Sequence, residues 1–155
     1  MDVAVRLKDI DERNWMEITL LSTREDGKAM VCEEYVASNA FSICQALFEE
    51  TWEFKGIYCG KTPIGFVMYG YNNERRCYEL CRLMIDYPHQ GKGFGRIALK
   101  LALEEMLEYE DCEEIYVAVN EKNERAKQLY RSVGFEDTGQ RSGQEEIYCL
   151  HIADE

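Results

Sequence analysis

The chain has 155 residues, 46% of them apolar and 12% aromatic, the make-up of one globular domain with enough apolar side chains for a core. Thirty acidic against eighteen basic side chains leave a formal net charge of -12, which disfavours nucleic acid as a partner and favours cationic ones. The longest apolar runs fall far short of the roughly 20 residues of a membrane helix, the start Met1 to Arg6 lacks a signal-peptide core, and no linker or repeat divides the chain, so a single cytoplasmic domain over 1–155 with no membrane partner is expected.

Ala4 to Leu7 suits a first strand and Asn14 to Leu21 a short helix. A second helix is expected after the capping residues Ser38 and Asn39, with Phe41, Cys44, Gln45, Leu47, Phe48 and Trp52 recurring at helical spacing up to Glu53. The period then changes. Phe54 to Cys59 and Ile64 to Tyr71 are β-rich runs joined by the turn Gly60-Lys61-Thr62-Pro63, and Asn72-Asn73-Glu74-Arg75 turns into a further strand, Cys77 to Ile85. Ile97 to Leu107 reads as a helix buried on a broad face, Ile115 to Val119 as a short strand, and Asn123 to Val133 as an amphipathic helix ended by Gly134. Phe135 to Thr138 and Ile147 to Ile152 close the sheet.

Between the third long strand and the Ile97 helix lies His89-Gln90-Gly91-Lys92-Gly93-Phe94-Gly95-Arg96. Three glycines in five residues let the backbone turn tightly and bring several N–H groups toward one point, where the following helix adds its positive end. An anionic ligand is therefore expected. The loop is not a Walker A motif, because Gly95 is followed by Arg96 and Ile97 and not by lysine and a hydroxyl residue. A dinucleotide fingerprint starting at Gly91 would require glycine at position 96, which is Arg96.

Seven cysteines, at 32, 44, 59, 77, 81, 112 and 149, form no C-x-x-C pair and accompany only two histidines. The simplest reading is reduced, mostly packed thiols and no metal, since a closed zinc site takes four ligands at tight spacing.

The pattern Gln90-x-x-Gly93-x-Gly95, after a strand and opening a helix, resembles the acetyl-coenzyme A loop of the GNAT N-acetyltransferases. Asn123-Glu124-Arg125-Ala126-Lys127-Gln128-Leu129-Tyr130, followed by Gly134-Phe135, is similar to that family's N-x-x-A-x-x-L-Y-x-x-x-G-F signature in every fixed position. The resemblance implies an α/β fold of the α+β kind: a mixed six- to seven-stranded sheet with helices on both faces and a splayed pair of central strands. It also implies acetyl-CoA as cofactor, held by Gln90, Gly91, Lys92, Gly93, Phe94, Gly95 and Arg96 and by the backbone of Leu83, Met84 and Ile85 beside the pantetheine arm. Dimerisation is common in the family, so a homodimer is expected.

In the same resemblance Tyr130 is the general acid for the departing thiolate, and Asn123 both caps its helix and contacts pantetheine. Lys127 either reaches the adenosine 3′-phosphate or is a solvated lysine. An alkyl amine with a pKa near about 10 arrives protonated, so a base is also required. Related polyamine acetyltransferases carry a carboxylate where this chain has Cys81. Strand alternation places Glu79, Cys81 and Leu83 on one face, with Glu79 about 6.5 Å along from Cys81, so Glu79 is the expected base acting through water. A water chain, Glu33 and Glu34 are its competitors.

Glu33-Glu34-Tyr35-Val36-Ala37-Ser38-Asn39-Ala40-Phe41-Ser42-Ile43 resembles a segment of bacterial spermine/spermidine acetyltransferases. It implies a small-molecule amine partner, most simply a polyamine, in a channel lined by Glu33, Glu34 and Cys81 and walled by Tyr35 and Tyr71. Other amines (a protein amine, an amino acid analogue, an aminoglycoside) and a non-catalytic acyl-CoA sensor are the competing readings.

Overall fold

The computed structural model describes residues 4–23 and 38–152. Strand β1 (Val5–Asp9) leads into helices α1 (Trp15–Thr19) and α2 (Asn39–Phe48). Three long strands follow, β2 (Trp52–Cys59), β3 (Thr62–Asn72) and β4 (Cys77–Ile85), then α3 (Phe94–Met106), β5 (Glu114–Asn120), α4 (Glu124–Ser132), β6 (Glu136–Ser142) and β7 (Glu145–His151). The seven strands form one mixed sheet in the order β1-β2-β3-β4-β5-β7-β6, antiparallel everywhere except between β4 and β5. This is the expected α/β fold. No helix among the described residues is long and apolar enough to cross a membrane.

Two cores lie on opposite faces of the sheet. The larger packs Ala98, Leu99, Ala102, Leu103 and Met106 of α3 and Tyr130 of α4 against Ile57, Val67, Leu80, Ile115, Val117 and Tyr148. Each fully buried aliphatic or aromatic side chain here contributes about 1.5–3 kcal/mol of burial free energy. The smaller core places Ile18 of α1 and Ala46 of α2 over Trp52, Tyr58, Phe66 and Met68. Helices therefore cover both faces, and the site is built where the sheet between them opens.

The expected second helix runs too far and on the wrong face. It stops at Phe48, and Trp52 instead begins β2 with its indole N–H donating to Glu49 Oε2 at 2.7 Å. The stripe that α2 buries is Asn39, Ser42 and Ala46, whereas Phe41, Leu47 and Phe48 are exposed. Asn39 explains part of this choice: its amide donates to Ile18 O at 2.8 Å and so ties α2 to α1.

Strand β4 carries the other departure. Its register with β3 runs Met68↔Arg82 and then Tyr69↔Leu80, which leaves Cys81 as the extra residue of a β-bulge. One extra residue shifts the side-chain phase. Tyr78 and Leu80 before the bulge and Leu83 and Ile85 after it all pack toward α3 and α4, while Cys81 and Met84 pack toward α1 and α2. The expectation that Glu79, Cys81 and Leu83 share a face is thus corrected: Glu79 and Cys81 share one, and Leu83 lies on the other.

Candidate active site

β4 and β5 pair only at Tyr78↔Ile115 and Glu79↔Tyr116. Beyond those pairs the ladder ends, so Leu83, Met84 and Ile85 hydrogen-bond with β3 on one side and have no strand partner on the other. Backbone groups on that open edge must find another partner, and a ligand chain inserted between the strands supplies one.

The glycine loop sits at the mouth of this opening. Gly91 (φ 77°) and Gly93 (φ 86°) both lie in the left-handed region, on either side of the exposed Lys92. Gly93 is the N-cap of α3 and offers no side chain to the first turn, so the N–H groups of Gly93, Phe94, Gly95 and Arg96 converge with no helical carbonyl to bond. A Cβ placed on Gly93 would meet nothing within 4 Å, so open space lies in front of these amides. Converging N–H groups, a 13-residue helix dipole and the flanking Lys92 and Arg96 fit a pyrophosphate. Phe94 turns inward against the larger core and anchors the loop. Gln90 ties the loop to the end of β4, its amide donating to Ile85 O at 2.9 Å and to Thr23 O at 3.0 Å.

Asn123 caps α4, its side-chain oxygen accepting from Ala126 N at 3.1 Å. Lys127 is buried, with Nζ 2.8 Å from Glu146 Oε2 and 3.4 Å from Glu124 Oε1, and these carboxylates raise its pKa. The expected contact with a 3′-phosphate, and the alternative of a solvated lysine, both give way to an internal ion pair. Tyr130 stands in the larger core, edge-on to Phe135 with ring centroids 5.5 Å apart. Its hydroxyl has no hydrogen-bond partner among the described residues, and burial alone pushes its pKa up.

On the other face, Glu79 is buried, its Oε2 accepting from Asn72 Nδ2 at 2.7 Å and its Oε1 lying 3.9 Å from Arg75 Nη1. Burial pushes the Cys81 thiol up to about 11; Arg82 opposes the rise, and Glu79 and Glu49 add to it. Cys81 is therefore a neutral thiol at working pH and a poor nucleophile. Cys81→Ser is expected to keep kcat within about twofold, with no acetyl group on the protein by intact-mass measurement. A stable acetyl adduct lost in the serine variant would overturn this.

Tyr71 is not brought to the opening. It pairs with Tyr78, while Leu83 pairs with Val67, so Tyr71 sits about 13 Å along β3 from the open edge. It lines a separate cavity with Arg75, Cys77 and Tyr116. Glu33, Glu34 and Tyr35 lie outside the described residues. Two polar residues escape sequence reasoning. Asn72 orients Glu79, and Glu49, at the end of α2, places a carboxylate close enough to act on Cys81. Asn72 is legible only as a turn residue, and no local signal marks Glu49.

The family model for the acetyltransferase (GNAT) family matches residues 10–135. The chain belongs to the GNAT acetyltransferase family. The spermine/spermidine N(1)-acetyltransferase of Bacillus subtilis (strain 168) is 30% identical over 139 residues, covering 81% of this chain and 91% of the relative. Two solved structures share the fold. The spermidine N-acetyltransferase from Vibrio cholerae in complex with CoA and spermine has a TM-score of 0.69 at 21% identity, covering 96% of this chain and 94% of that one. The PaiA N-acetyltransferase from Thermoplasma acidophilum in complex with coenzyme A has a TM-score of 0.67 at 20% identity, covering 98% and 100%. As a GNAT member this protein is an N-acetyltransferase, and its cofactor is acetyl-CoA. The glycine loop and the open strand edge fit that cofactor.

Proposed function

We propose that this GNAT acetyltransferase acetylates a primary amine of a polyamine such as spermine or spermidine, by direct attack within a ternary complex. The observation that carries the reading is a pair of carboxylates on the α1/α2 side of the sheet: Glu79 of β4, and Glu49, which ends α2 and accepts from the indole of Trp52, the residue two strands across from Glu79. Two acids from separate elements suit a substrate with several ammonium groups. The similarity to the Bacillus subtilis enzyme along most of both chains supports the same class.

Acetyl-CoA supplies an activated acetyl group as a thioester. The chain's own tasks are to hold it, deprotonate the amine and stabilise the charge that develops. The glycine-loop amides and α3 hold the pyrophosphate, with Lys92 and Arg96 adding charge. Backbone N–H groups on the open edge of Leu83 to Ile85 donate to the developing oxyanion, a contribution of about 3–4 kcal/mol per donor in comparable sites. Glu79, held by Asn72 and Arg75 and four residues before Leu83 on β4, accepts the amine's proton through a chain of waters. Tyr130 donates a hydrogen bond to the sulfur as it leaves. Full transfer from a phenol of raised pKa to a thiolate near about 8.5 is uphill, so Tyr130 stabilises charge on sulfur more than it surrenders its proton.

The deciding experiment is mass spectrometry of products after incubation with acetyl-CoA and spermine, spermidine, putrescine, an aminoglycoside and a lysine peptide. A polyamine gaining one acetyl group, in preference to the others, is the expected result. Acetylation of the peptide or aminoglycoside alone would replace the acceptor class, and cofactor binding without any product would favour a sensor.

A further inference from the structure

On the sheet face away from α3 and α4, at the end of β5 remote from the cofactor opening, three side chains of different chemistry converge. The ligating atoms of Glu114, Cys149 and His151 all lie within 4.8 Å of one another. The register causes this: Glu114 pairs with His151 and Tyr116 with Cys149 across β5 and β7, and Cys149 and His151, two apart on one strand, point the same way. Cys149 Sγ is 3.7 Å from Glu114 Oε2, and His151 Nδ1 is 3.9 Å from Glu114 Oε1.

We propose that Glu114, Cys149 and His151 form a binding site for a divalent first-row transition ion, zinc foremost. Bonds of about 2.0–2.3 Å in a tetrahedral site put neighbouring ligand atoms about 3.3–3.8 Å apart, so the observed group needs only a small contraction. His151 is 69% exposed and free to turn inward for it. A thiol with an imidazole and a carboxylate selects a borderline ion and disfavours calcium and magnesium, which take oxygen ligands. The carboxylate is already held from outside the group, because the Tyr116 hydroxyl donates to Glu114 Oε2 at 2.5 Å.

Three protein ligands leave a fourth position open, and a cavity of about 680 Å³ adjoins the Glu114 side of the group. The ion replaces the Cys149 thiol proton, which passes to solvent as the metal–sulfur bond forms. Spacing along the chain hides the site, because Glu114 precedes Cys149 by 35 residues and meets it only across strands.

The test is titration of the metal-stripped full chain with Co²⁺, read by absorbance, followed by displacement with Zn²⁺. One equivalent of cobalt is expected, with a sulfur-to-metal charge-transfer band and the intense visible bands of four-coordination. His151→Gln should weaken binding by more than the about 10- to 100-fold that follows loss of an outer-shell partner. Cys149→Ser should abolish the charge-transfer band, while Cys44→Ser, at an exposed thiol of α2, should leave it intact. Cys149 is buried and its variant is open to misfolding, so the exposed His151 decides alone. Absence of a thiolate band, or the same band and affinity in His151→Gln, overturns the site.

Discussion

Gly93→Val is expected to raise the dissociation constant for acetyl-CoA by 100-fold or more, about 2.8 kcal/mol, measured by calorimetry on protein whose circular dichroism matches the parent. Two effects combine. Gly93 sits at φ 86°, where an L residue costs about 1–2 kcal/mol and a β-branched one is worst placed. A side chain there also projects into the open space before the converging amides, since nothing of the protein lies within 4 Å of where its Cβ would stand. That same open space means that the side chain meets no protein neighbour; the backbone penalty falls on the loop, which relaxes from its cradle geometry, and the obstruction falls on binding. Gly93→Ala separates the terms, with the same backbone penalty and a smaller obstruction, and should fall between. An unchanged dissociation constant in the valine variant would show that the pyrophosphate is held elsewhere.

The loop is legible in the sequence because its chemistry is local: glycine spacing, a preceding strand and a following helix all lie within a few residues. For the same reason the expected bounds of β4, Cys77–Ile85, between a turn and the loop, match those observed. What the sequence conceals depends on pairing. The bulge at Cys81 is a property of β3–β4 register, and without it simple alternation assigns Leu83 to the wrong face. The Lys127 ion pair needs Glu146, brought from β7, to turn an apparent surface lysine into a buried one. Helix α2 misleads because its buried stripe is small and polar, and apolar periodicity points instead to Phe41, Leu47 and Phe48, which are exposed.

The acceptor side shows how such a difference changes the chemistry. At the bulge this chain carries Cys81, and the nearby negative charge comes from Glu79 and Glu49. The thiol's high pKa removes it as a base. Glu79, anchored by Asn72 and Arg75, holds one carboxylate geometry on the same face as Cys81.

Tyr130→Phe removes one oxygen that makes no hydrogen bond within the described residues and leaves the ring contact with Phe135 in place, so its effect on folding should be small. Its effect on turnover should be large. A fall in kcat of about 10- to 100-fold is expected, with KM for acetyl-CoA nearly unchanged, because the hydroxyl acts on charge that develops at sulfur only as the bond breaks. The pH profile supplies a second readout. Burial raises the Tyr130 pKa, so its donating, protonated form persists to higher pH than an ordinary phenol's. The rate should then rise with pH as the amine loses its proton and show no Tyr130-dependent fall through the ordinary phenol range near about 10. A kcat within twofold of the parent would remove Tyr130 from the reaction. A tenfold loss with a matching rise in KM would instead make it a binding residue for the pantetheine arm.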